Sequence, residues 1–145
     1  MRNKKWIIAG AAVVLAVGGY FIFGVVRGIS YYNRGSAHIA KKEYDQAIAC
    51  FDKAIEIEPS FAQAYCNRGT AYYEKSQYDQ AIVDFDKAIK IDSNFAAAYY
   101  NRAGAYFHKK EYDKALQDVL RAQSLGYNVS PELLKALREG AGKKQ

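Results

Sequence analysis

One period organises most of this chain. The pentapeptide "YDQAI" stands at Tyr44–Ile48 and returns unchanged at Tyr78–Ile82, and a near copy, "YDKAL", follows at Tyr112–Leu116. Both intervals are 34 residues (78 − 44 and 112 − 78). Written at that period, the chain divides into units 28–61, 62–95 and 96–129. Tyr31, Tyr65 and Tyr99 correspond and are followed by "YNRG", "CNRG" and "YNRA" at 32–35, 66–69 and 100–103. Within the middle unit Tyr65, Tyr72 and Tyr73 mark one helical face, while Ala81, Ile82, Phe85, Ala88 and Ile89 mark a second, at spacings of three and four. The polar turn "EKSQ" separates them, and Phe61 and Phe95 close the first two units. Each unit is therefore predicted to be an antiparallel helix pair, all-α. One pair cannot bury its own apolar stripe, so copies must stack.

Small residues recur at matched places, as Gly69, Ala81 and Ala88 show in the middle unit. They let helices approach closely while aromatic rings one turn away fill the adjacent space. The end of the chain fits a solvating cap over residues 130–140. Ser130 suits an N-cap with Pro131 in the first turn, and Leu133, Leu134 and Leu137 would face the third unit. Residues 141–145 form a short basic tail read as flexible.

The pattern resembles the tetratricopeptide repeat family over residues 28–129, 102 of 145. The middle unit offers Tyr65, Arg68-Gly69, Tyr72, Ala81 and Phe85 at the family's positions. The first offers Tyr31, Arg34-Gly35, Ala47, Phe51 and Pro59, with His38 in place of an aromatic. The third offers Tyr99, Ala103, Tyr106 and Ala115, but Val119 and Tyr127 stand where an aromatic and a proline are usual. The resemblance implies a three-repeat solenoid whose first helices line a concave groove for an extended or helical partner segment. It places Tyr32, Asn33 and Ser36 along that groove, then Cys66, Asn67, Thr70 and Tyr73, then Tyr100, Asn101, Gly104, Phe107 and His108. Asn33, Asn67 and Asn101 would form a ladder of amides able to donate and accept. Tyr73, Tyr100 and Phe107 would offer apolar contact area of the kind that dominates binding, although aromatics at this period also pack between helices. Family members that grip a terminal carboxylate use basic groove residues together with asparagines. Here Asn67 matches one asparagine, Tyr32, Ala97 and Asn101 occupy the basic places, and Ser36 replaces the second asparagine. A carboxylate clamp is not expected.

Between Lys5 and Arg27 lie 21 uncharged residues, "WIIAGAAVVLAVGGYFIFGVV". As a helix this run would rise about 1.5 Å per residue, roughly 31 Å, matching a hydrocarbon core of about 30 Å. Trp6 sits where an amphipathic ring favours the lipid–water boundary. A cleaved signal peptide is the rival, with Ala16-Val17-Gly18 as its cleavage site. The apolar run continues eight residues past Gly18, beyond a usual signal core, so an uncleaved anchor is expected. The expected order is thus a basic cytoplasmic tail at 1–5, a transmembrane helix at 6–27 inserted through residues 6–26, and a repeat domain outside the cytoplasm, in a bacterial inner membrane. Arg2, Lys4 and Lys5 favour that orientation, and Arg27, Arg34, Lys41 and Lys42 weaken it. Ala12 and Ala16 could seat a partner helix, so an oligomer stays open.

The net charge of +6 does not mark a nucleic-acid protein. Residues 1–27 carry +4, residues 28–130 hold thirteen basic and thirteen acidic side chains, and the tail adds +2. A neutral folded middle has no phosphate-binding face. His38 and His108 lack ligand-spaced companions, and no phosphate loop, nucleophile elbow or metalloprotease motif occurs. No enzyme activity, metal or cofactor is expected. Cys50 and Cys66 lie on different helices, and a domain outside the cytoplasm would allow a disulfide, but the resemblance turns Cys66 toward the groove and Cys50 elsewhere, which implies two free thiols. The functional expectation is a membrane-anchored adaptor that binds a protein or peptide in the groove. The alternative is a structural subunit of an envelope assembly, joined through repeat stacking or self-association.

Overall fold

The computed structural model describes residues 26–142. The expected anchor therefore lies outside the described residues except for its last two positions. Among the described residues, no helix is long and apolar enough to cross a membrane.

Among the described residues seven helices follow one another. α1 is described over 26–40. After it come α2 (Tyr44–Ile57), α3 (Ala62–Glu74), α4 (Tyr78–Ile91), α5 (Ala96–His108), α6 (Tyr112–Ser124) and α7 (Pro131–Gly142). From α2 onward each helix packs on the next in sequence, and α3 also touches α5. The first helices of successive repeats thus share a face. α1 is already helical at residue 26, so the boundary expected between Arg27 and Gly28 falls inside a helix.

The turn inside each repeat is one device used three times. Lys42, Ser76 and Lys110 adopt left-handed backbone, with φ of 61°, 60° and 60°. This conformation lets the next residue turn its N–H back: Glu43 to His38 O, Gln77 to Tyr72 O and Glu111 to Tyr106 O, each at 2.9 Å. Carbonyls orphaned at the helix end are satisfied in this way.

Packing within a pair rests on a ring against a missing methyl. A Cβ at Gly35 would lie 2.7 Å from Phe51, and one at Gly69 would lie 2.8 Å from Phe85. Both rings are fully buried, as are Ala47, Ala54, Ala81 and Ala88 along the same stripes. Burying a ring of this size is worth about 1.5–3 kcal/mol.

Ion pairs join successive repeats. Arg68 donates through Nε and Nη2 to both oxygens of Asp84 at 2.7 and 2.6 Å, and through Nη1 to Asp52 of the preceding repeat at 2.5 Å. Arg102 repeats the arrangement with Asp118 at 2.7 and 2.6 Å and with Asp86 at 2.5 Å. Asp84 and Asp118 are the two buried acids among the described residues. Burial pushes the Asp84 carboxyl up and the Arg68 hydrogen bonds oppose it. The guanidinium is held more basic still, chiefly by its bond to Asp84. Arginine does not lose its proton, so the pair is ionised.

The cap forms as expected at its start. Ser130 Oγ accepts from the Leu133 N–H at 3.2 Å, and Leu137 is buried against the third repeat. α7 extends two residues beyond the expected 140.

Candidate partner-binding groove

The first helices bring most of the expected groove residues to one face, but not in the roles the sequence implied. The amide ladder is spent between repeats. Asn67 Nδ2 donates to Tyr32 Oη at 3.1 Å and to Ser36 Oγ at 3.4 Å. Asn101 Nδ2 donates to Thr70 Oγ1 at 3.4 Å, with a weaker contact to Cys66 Sγ at 3.8 Å. Ser36 and Thr70 in turn donate to the carbonyls one turn back, Tyr32 O at 3.1 Å and Cys66 O at 3.0 Å. These amides fix the register of α1, α3 and α5; their donors are not free for a partner. Asn33, at the open end, is exposed.

The aromatics divide similarly. Tyr32 leans on Phe61 at 4.9 Å and Phe51 at 5.9 Å, so its ring belongs to the first repeat's core. His108 stacks on Tyr78 at 4.8 Å with rings 5° from parallel, and meets Tyr73 edge-on at 5.4 Å. Tyr100 stacks on Tyr127 at 4.5 Å. Phe107 keeps an open face and is 38 % exposed. Burial, followed by the charges at Tyr78, Glu74 and Tyr100, pushes the Tyr73 phenol up, so it stays a neutral donor.

Cys66 is buried beneath this face, and burial pushes its thiol up to about 11 despite the Asn101 contact. Such a thiol is a packing residue rather than a nucleophile. Cys50 is also free and buried. Among the described residues no cluster of His, Cys, Asp and Glu could hold a metal.

One feature of the face was not legible from the expected list alone. A pocket of about 320 Å³ opens between α3, α5, α6 and α7. Thr70, Tyr73, Tyr100, Asn101, Gly104 and Phe107 line it, as expected of groove residues, but so do Glu74, Phe85, Ala103, Val119, Leu133 and Leu137. A signal for two of the second set, Ala103 and Val119, was present in the sequence. With Gly104, they are among the places where the third unit departs from the other two.

Known proteins share this architecture. A model described as TPR repeat matches residues 35–76, and two models described as tetratricopeptide repeat match residues 62–95 and 85–117. Among solved structures the chain is similar to the Arabidopsis OM64 TPR domain, with a TM-score of 0.77 and 27 % identity over 80 % of this chain and 98 % of that one. It is similar to the TPR2B domain of yeast Sti1 in its pHsp70 complex (TM-score 0.72, 27 % identity, 83 % of this chain and 99 % of that one). It is also similar to the second TPR domain of human RPAP3 in complex with the HSP70 peptide SGPTIEEVD (TM-score 0.74, 25 % identity, 79 % of this chain and 98 % of that one). No curated protein sequence matches the chain.

Proposed function

Because the chain belongs to the tetratricopeptide repeat family, we propose that it is a protein-interaction scaffold that holds a segment of a protein partner on the face lined by α1, α3 and α5. Two of the similar domains were solved with Hsp70-derived partners. The observation that carries the reading is the open apolar surface around Phe107, continuous with the pocket between α3, α5 and α7. An acid-ending peptide of the RPAP3 kind is not the expected occupant. Tyr32, Ala97 and Asn101 offer no cation for a terminal carboxylate, and Asn67 is engaged by Tyr32 and Ser36.

The uncharged run at 6–26 is read as a membrane anchor, in a bacterial inner membrane with the repeats outside the cytoplasm. It would concentrate the scaffold and its cargo at the surface. Alkaline carbonate should leave the full chain in the membrane pellet and release a variant lacking 6–26; release of both would remove the anchor from the reading.

A photoreactive residue tests the groove. Placed at Phe107 in cells that natively make the protein, it should give a discrete adduct with a different protein. The same probe at Val83, which is 57 % exposed on α4, should not. Adducts from Val83 alone, or from Ile29 at the open end of α1, would favour the second reading, a structural subunit. That reading draws on one observation: Val26 and Ile29 are exposed beside Arg34 where a preceding repeat would stack.

A further inference from the structure

The third repeat differs from the first two at three positions that meet in one place. Gly35 and Gly69 give way to Ala103, Ser36 and Thr70 to Gly104, and Phe51 and Phe85 to Val119. In the first two repeats the phenylalanine ring fills the space beside the glycine. In the third, a methyl occupies the glycine's place, but Val119 is far shorter than a ring, so the exchange leaves volume unfilled. Gly104 also removes the side chain that Ser36 and Thr70 present there. A Cβ at Gly104 would meet Tyr73 only at ordinary contact distance, 3.5 Å. The pocket of about 320 Å³ lies at this junction, with Phe85, Val119 and Leu137 as its buried wall and Tyr73, Tyr100 and Phe107 among its other lining residues.

Its size is at the small end of ligand sites, roughly 300–1,000 Å³, and suits a single large side chain better than a cofactor. Its polar lining is already engaged: Asn101 donates to Thr70. Glu74 is the one acidic or basic side chain among the lining residues. It accepts a hydrogen bond from Tyr44 at 3.3 Å and has no ion pair among the described residues. Arg102 points instead to Asp86 and Asp118 on α4 and α6.

We propose that this pocket takes one bulky apolar side chain, aromatic or leucine-like, from the partner segment, with a neighbouring lysine or arginine of that segment set against Glu74. The inference rests on the groove reading and specifies its occupant. Apolar burial supplies the affinity, and the carboxylate sets the sign of the flanking charge.

Randomised twelve-residue peptides displayed on phage, selected against the full chain, test it. Enriched peptides should carry a Phe, Trp or Leu beside a basic residue. Measured by fluorescence anisotropy, their affinity should fall about tenfold or more in the Ala103→Gly/Val119→Phe variant. That variant restores the pair used by the first two repeats and should fold; Gly104→Leu, which blocks the pocket without touching the buried wall, gives a second reading. Glu74→Gln should weaken binding about threefold to tenfold and erase the preference for the basic neighbour. Peptides that bind at the groove, lose binding on Phe107→Ala and ignore both filled variants would overturn the pocket while leaving the groove intact. Selection of no peptide at all would overturn both.

Discussion

Arg34 and Arg68 hold the same position in consecutive repeats and live in different surroundings. Arg68 is held by Asp84 of its own repeat and Asp52 of the one before, and is largely covered. At the 34-residue register Arg34 has Cys50 in the position of Asp84, and glycine stands at 18 in the position of Asp52. Residues 1–27 hold no acid. Arg34 is exposed and lies over the Tyr31 ring at 5.7 Å. In a stacked array the arginine is an interface residue: it is complete when its own repeat and the one before it each supply an aspartate. The same residue is therefore structural in the second and third repeats and solvated in the first.

That contrast can be tested by substitution. Arg102→Ala should cost about 3–5 kcal/mol, because it leaves Asp118 buried without a cation. Arg34→Ala should stay within about 0.5 kcal/mol in the same denaturant titration; equal losses would dissolve the distinction. Gly69→Ala should cost about 1–3 kcal/mol, since its Cβ would sit 2.8 Å from Phe85. Ala103→Gly alone, with no ring to admit, should lose only about 1 kcal/mol of helix propensity. Lys42→Gly and Ser76→Gly should each raise stability, by up to about 1 kcal/mol and by similar amounts, because the left-handed turn is the same in both repeats. Unequal gains would show that the first repeat differs in backbone as well as in its ion pairs. Cys50→Asp should then give Arg34 a partner, seen as a coupling of about 0.5 kcal/mol in a double-mutant cycle.

Much of the fold was legible in the sequence because repetition supplies its own control. Three registers of "YDQAI", "YDQAI" and "YDKAL" placed α2, α4 and α6, and Ser130-Pro131 placed the start of α7. The groove was legible as a set of positions but not as a set of roles. Asn67 and Asn101 look alike whether they face a partner or a neighbouring repeat, since both directions lie on the same helical face. Only the 3.1 Å contact of Asn67 to Tyr32, thirty-five residues away, distinguishes them. The departures at Ala103, Gly104 and Val119 read in sequence as ordinary variation of a terminal repeat.

The sequence by itself determined the period, the helix pairs, their stacking and the neutral charge of the repeat domain. These follow from local spacing and from the need of each pair to bury its stripe. Only the tertiary structure decided which amides are spent between repeats, which arginines are complete, and that three scattered substitutions open one pocket. Those outcomes depend on which side chains from different helices share a volume, and spacing along one helix carries no information about what fills the space beside it.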